Sequence, residues 1–215
     1  MTIIALVNQK GGTGKTCTAL HLAYYLAVKK KKTVLLIDTD AQRSATEWVS
    51  TLQCNLPSSL ITDPNILADA IPDLAEKQEY TIIDAAGNIS ETTRVILSYA
   101  DKAIIPCQPT ALDLQSSGNA INLIRQARRI RKGEPKAAVF INRAVPRTRL
   151  KAEALDLLAS LEDIKLLKSV IHQRQAIADS AGQEKVVWEL GRSGKEAARE
   201  YDSLCKRHLR KRIKL

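Results

Sequence analysis

Five short apolar runs, at residues 2–7, 33–37, 80–83, 102–105 and 136–141, with a weaker sixth at 164–167, lack the polar alternation of a strand with one wet face. A strand that is apolar throughout is buried on both sides, as in a parallel sheet covered by helices. Longer segments with helical periodicity lie between them, notably at 15–29, 90–99, 113–131 and 150–161. The predicted fold is therefore α/β: a mostly parallel, twisted sheet with helices on both faces. Right-handed crossovers bring the C-terminal ends of the strands to one rim, where ligands bind. Residues 50–75, with Pro57, Pro64 and Pro72, read as the least regular stretch, one of short helices and turns.

The 215 residues show no internal repeat, low-complexity segment or domain linker, so a single domain over 1–215 is expected, with a basic C-terminal helix at about 194–215. Aromatic residues make up only 4% of the chain, which leaves the core to Leu, Ile, Val and Ala. No apolar run approaches the roughly 20 residues of a spanning helix, and the start, Met1 followed by TIIALVN, predicts no signal peptide. Cys17, Cys54, Cys107 and Cys205 are widely spaced without a CxxC pair, which predicts reduced thiols in a cytosolic protein. A formal charge of +10 calls for a polyanionic partner, nucleic acid or an acidic membrane face.

The chemistry concentrates in Val7-Asn8-Gln9-Lys10-Gly11-Gly12-Thr13-Gly14-Lys15-Thr16. This segment leaves a buried strand and opens a helix, the setting in which a glycine-rich loop grips phosphate. Gly11, Gly12 and Gly14 allow a tight turn that aims backbone N–H groups at phosphate oxygens. The helix from Lys15 adds the positive end of its dipole. Lys15 then reaches the β- and γ-phosphates, and the Thr16 hydroxyl ligates Mg²⁺.

The loop departs from G-x-x-x-x-G-K-[ST]: Gln9 stands where the first glycine belongs, and a second lysine, Lys10, follows it. The K-G-G-T-G-K-T form resembles the deviant Walker A box of the ParA/MinD family of ATPases. The resemblance implies that Lys10 through Cys17, that is Lys10, Gly11, Gly12, Thr13, Gly14, Lys15, Thr16 and Cys17, holds ATP. It also implies that Lys10 crosses an ATP-sandwich homodimer to touch the partner's phosphates, as an arginine finger does.

Two other strand ends are followed by carboxylates: Val34-Leu35-Leu36-Ile37 runs into Asp38-Thr39-Asp40-Ala41-Gln42, and Tyr80-Thr81-Ile82-Ile83 runs into Asp84. A lone aspartate in such a place reads as a helix cap. Two of them in register with a phosphate loop read as ligands of magnesium or of water. The family resemblance implies that Asp38 positions the attacking water and that Asp84 is the Walker B acid, with Thr16, Asp38 and Asp84 grouped about Mg²⁺. It further matches residues 105–110 to a proline-bearing switch loop, and Asn142 and Arg143 to an adenine contact. Ala85-Ala86-Gly87-Asn88 is closer to small partition ATPases than to MinD. The resemblance spans about residues 1–200.

Lys206, Arg207, Arg210, Lys211, Arg212 and Lys214 form an acid-free tail. Upstream, Ala197, Tyr201, Leu204, Cys205, His208 and Leu209 fall near helical spacing, so one helix docks by that stripe and shows a basic face. A second cluster, Arg125, Arg128, Arg129, Arg131 and Lys132, closes the helix that begins near Asp113. The tail predicts non-specific DNA binding through displaced counterions. A membrane is disfavoured, because only Leu209, Ile213 and Leu215 supply an apolar face there. The expectation is a ParA-type, Mg-dependent ATPase, cytoplasmic and nucleoid-associated, that positions a plasmid, chromosome or protein assembly through a ParB-like or other adaptor protein. The alternatives are a MinD-like membrane-associated ATPase and a metabolic P-loop enzyme on the same core.

Overall fold

The structure is a computed structural model that describes residues 1–87 and 91–208. Asn88, Ile89, Ser90, Leu209, Arg210, Lys211, Arg212, Ile213, Lys214 and Leu215 lie outside the described residues. The apolar runs form β1 (Ile3–Leu6), β2 (Val34–Asp38), β4 (Tyr80–Asp84), β5 (Lys102–Cys107), β6 (Lys136–Ala144) and β7 (Lys165–His172), and a short β3 (Ser58–Leu60) joins them. All neighbours pair in parallel, in the order β3-β2-β4-β1-β5-β6-β7. Because side chains alternate across a strand, β1 feeds two cores. Ile4 and Leu6 pack with α1 (Lys15–Tyr24), α2 (Ser44–Thr51) and α8 (Gly191–His208). Ile3, Ala5 and Val7 pack with α3 (Pro64–Glu76), α4 (Glu91–Tyr99), α5 (Ala111–Ile130) and α6 (Arg149–Ala159) on the other face. The expected α/β sheet with helices on both sides is what forms.

The register sets up the rim. Leu6 is opposite Asp84, and Asp84 is opposite Asp38, so β1, β4 and β2 end in one row with the glycine loop beginning at its edge. Strands lie about 4.8 Å apart, so the two carboxylates are next-door neighbours beside the loop.

Residues 50–75 are more regular than the sequence suggests. Asp63 caps α3 by accepting from the N–H groups of Asn65 and Ile66, and Pro64 takes the first helical position, where no N–H is needed. Pro72 does not end the helix. It faces solvent, while Leu67, Ile71 and Ala75 form a fully buried stripe whose burial outweighs one missing hydrogen bond. β6 and β7 also run past their expected ends, to Ala144 and His172, and β7 leads into α7 (Gln175–Gly182).

Candidate active site

The loop after β1 is tethered at its start. Asn8, buried, donates from Nδ2 to Pro106 O (2.8 Å) and Ser117 Oγ (3.2 Å), and its Oδ1 accepts from Ser116 Oγ (2.6 Å) and from the Lys10 N–H (3.2 Å). Gly12 and Gly14 then take φ of 75° and 93°, values that favour glycine. At Gly14 the requirement is also one of space, since a Cβ there would sit 2.2 Å from Asn142 Nδ2. Gly14 is the N-cap of α1 and offers no side chain, and the first turn holds no acid. Its N–H groups are therefore left to an anion.

Gly11, Gly12, Gly14, Lys15, Thr16, Cys17, Asn142 and Arg143 line a single cavity of about 550 Å³. Beyond Arg143 its walls include the apolar Trp48, Ile171, Ile177 and Tyr201 beside the polar His172 and Arg174, a mixed lining that suits a nucleobase. Cys17 lines the cavity beside Tyr201. Its Sγ lies 3.3 Å from the hydroxyl of Tyr201 on α8, and burial pushes its thiol up to about 11, which makes it inert as a nucleophile.

Lys15 is 7% exposed and donates to Lys10 O at 3.2 Å. Burial lowers its pKa, and the Asp84 and Asp40 carboxylates oppose that shift. Asp84 is buried, and its Oδ1 has no hydrogen-bond partner. Burial pushes its carboxyl up to about 7, helped by Asp38 and Asp40 and opposed by a hydrogen bond from Thr16 and by Lys15. A buried carboxylate oxygen left unpaired beside a threonine hydroxyl is costly in an empty protein. It fits a hard divalent cation, and Thr16 and Asp84 are the groups that would hold Mg²⁺.

Asp38 differs from this. Fully buried, its Oδ2 accepts from the N–H groups of Ala45 (2.9 Å) and Thr46 (3.0 Å) and from Thr46 Oγ1 (3.1 Å), while Oδ1 accepts from the Asp40 N–H (3.0 Å). Through Oδ2 it therefore braces the start of α2, while Oδ1, with the one hydrogen bond from Asp40, keeps a lone pair for water or metal.

Lys10 does not line the cavity that its neighbours line. Its Nζ is 2.8 Å from Oδ2 of Asp113, a buried acid in the first turn of α5 that also accepts from Thr110 Oγ1. In the sequence Asp113 marks only a helix start. A Thr-x-x-Asp step looks like a cap, and nothing in it points to a lysine a hundred residues away. Asn142 and Arg143 do reach the loop: Asn142 Nδ2 donates to Thr13 O (2.6 Å), and Arg143 Nη1 donates to Gly12 O (2.9 Å). Gln108 Nε2, which the sequence reading did not single out, donates to the same Gly12 oxygen at 2.8 Å.

The second basic cluster is largely occupied. Arg125 makes a two-pronged pair with Asp163 (2.8 and 2.7 Å), Arg128 donates to Pro135 O and Asp163 O (2.8 and 2.7 Å), and Arg131 donates to Leu97 O and Ala100 O. These arginines tie α5 to the loops around it. On α8 the stripe Ala197, Tyr201, Leu204 and Cys205 is buried as expected, and Lys206 is exposed. The Arg207 side chain and the four cations after it are not among the described side chains.

A glycine loop with an open helix end, a buried lysine and an unpaired carboxylate oxygen at a parallel-sheet rim defines the P-loop class of nucleotide-binding proteins. Within that class the chain belongs to the family of the CobQ/CobB/MinD/ParA nucleotide binding domain, which it matches over residues 4–187. It is a ParA/MinD-family ATPase, with ATP and Mg²⁺ as its cofactors.

Among its relatives are proteins named maintenance of carboxysome distribution protein A. That of Gloeobacter kilaueensis is 35% identical over 117 residues, a match spanning 52% of this chain and 51% of the relative, about half its length. That of Halothiobacillus neapolitanus is 24% identical over 205 residues, 94% of this chain and 93% of the relative. The fold resembles that of apo McdA from Cyanothece (TM-score 0.80, 17% identity, 98% of this chain and 100% of that one). It also resembles Pyrococcus horikoshii MinD with Mg-ADP (TM-score 0.77, 20% identity, 97% and 96%).

Proposed function

We propose that this chain is a ParA-type positioning ATPase working at the nucleoid. ATP joins two copies into a sandwich dimer, the dimer holds DNA without reading its sequence, and an adaptor protein on a cargo triggers hydrolysis and release. The observation that supports this reading is Lys10. It sits in the phosphate loop, it lines no part of its own chain's cavity, and its side chain is 42% exposed on a single ion pair. A cation so placed has little to give its own nucleotide and much to give a partner's.

Within one chain, the loop amides and Lys15 bind the phosphates, Thr16 and Asp84 would hold the metal, and Asp38 orients water. Magnesium, when bound, neutralises phosphate charge. The relatives' names cover carboxysome distribution and chromosome partitioning, and both describe placing a large object in the cell. Among the described residues no helix is long and apolar enough to cross a membrane. Among the described residues the Cys17, Cys54, Cys107 and Cys205 thiols are free, and no group of three His, Cys, Asp or Glu is placed to hold a metal ion.

Light scattering of the purified protein with Mg-ATP, with Mg-ADP and without nucleotide tests the dimer. The wild type should be dimeric in ATP alone, and Lys10→Ala should remain monomeric while still binding ATP. A Lys10→Ala protein that dimerises as readily as wild type would remove the trans role.

A further inference from the structure

A peptide unit is planar and trans, so its C=O and the N–H that follows point in opposite directions. Fixing the Gly12 carbonyl therefore fixes the Thr13 N–H, and fixing the Thr13 carbonyl fixes the Gly14 N–H. Both carbonyls are held. Gly12 O accepts from Gln108 Nε2 at 2.8 Å and from Arg143 Nη1 at 2.9 Å, and Thr13 O accepts from Asn142 Nδ2 at 2.6 Å. The donors come from two adjacent strands, since Gln108 directly follows β5 while Asn142 and Arg143 lie near the end of β6. Arg143 reaches the loop from a φ of 51°, a left-handed conformation that few side-chain-bearing residues adopt and that its surroundings must hold in place.

We propose that Gln108 and Arg143 are positioning residues that preorganise the phosphate-binding amides by gripping the one Gly12 carbonyl from two strands. A free glycine-rich loop samples many conformations, and a phosphate chain would have to order it on binding. With the carbonyls held from outside, that ordering is already complete when nucleotide arrives. Gln108 is the informative member of the pair. It lines no part of the cavity, so any effect it has on nucleotide must pass through Gly12. The inference needs only the phosphate site and stands apart from the dimer and DNA.

The test is calorimetric titration of Mg-ADP into Gln108→Ala, Arg143→Ala, the double variant, and Gln108→Ala combined with Arg143→Lys, beside the melting temperature of each without nucleotide. One hydrogen bond of this kind is worth about three- to tenfold in affinity. Gln108→Ala should weaken Mg-ADP about threefold. Because the two donors share an acceptor and cover for each other, the double variant should lose more than the product of the single losses. Lysine at 143 keeps a donor and should recover part of the loss. Nucleotide-free melting should stay within about 2 °C of wild type, a shift too small for a role in general stability. A double variant that binds Mg-ADP like wild type overturns the proposal. So does a loss confined to Arg143→Ala, which would make that arginine a direct nucleotide contact, and so does a large drop in nucleotide-free melting without recovery by lysine.

Discussion

Lys15 and the arginines at the end of α5 are all cations held by acceptors of their own chain, yet they are equipped for different work. Lys15 has one carbonyl partner, is buried beside Asp84, and faces the cavity. Arg125, Arg128 and Arg131 direct their donors at Asp163, Pro135, Leu97 and Ala100. What a cation can offer a ligand depends on the donors its own chain leaves unused. By that measure the rim of the sheet is built for phosphate, and the end of α5 is built to hold the fold.

The largest expected effect is at the rim. Lys15→Ala should weaken Mg-ATP by about a hundredfold or more in calorimetry, because a charge-assisted phosphate contact is lost at a site with no substitute. Retained binding would place Lys15 with the structural cations.

Next comes Asp38→Ala, which should keep ATP bound while turnover falls by about a hundredfold or more, measured as phosphate release. Since this carboxylate also caps α2, the variant should lose about 1 kcal/mol of stability. A stability loss with normal turnover would reduce Asp38 to a cap.

At the other region, Arg131→Ala should cost about 1–2 kcal/mol in urea unfolding through the orphaned carbonyls of Leu97 and Ala100. DNA affinity should not change. Lys206→Ala should do the reverse, lowering the salt slope of DNA binding by about one and leaving unfolding untouched. Exchanged outcomes would reverse the comparison.

The last effect is one of pH, and it shows only in a variant. His21 is fully buried, stacked on Tyr201 with ring centroids 4.2 Å apart, and burial pushes it down to about 4. Below its ordinary pKa of about 6.5 the unfolded imidazole takes up a proton that the folded one refuses, so this group costs stability as pH falls. Asp84, pushed up to about 7, has the opposite sign, because the folded carboxyl is the one that takes the proton. The two offset each other in the nucleotide-free wild type. Asp84→Asn should uncover the His21 slope as a loss of roughly 2 kcal/mol between pH 7 and pH 5, and an unchanged urea midpoint would show that His21 titrates normally.

The rim was legible in sequence because its signals are local. A glycine loop between strand and helix, and aspartates at strand ends, lie within a few residues of what they imply. The contacts that hold the rim were not legible. Gln108 to Gly12, Asp113 to Lys10 and Arg143 to Gly12 each join residues about a hundred or more apart, and no periodicity records them. The length of α3 was underestimated for another reason: proline carries a strong local signal, and tertiary burial of Leu67, Ile71 and Ala75 overrode it. The partners of the α5 arginines were not legible either, since a charge run gives no hint of which acceptors will fold against it.

The account turns on whether nucleotide controls the basic surface. Titrating the protein against a random-sequence DNA duplex with Mg-ATP, with Mg-ADP and without nucleotide, at several salt concentrations, measures this directly. Tight, salt-sensitive binding in ATP alone is the predicted result. Equal affinity in all three states would contradict the switch, even with the ATPase assignment intact.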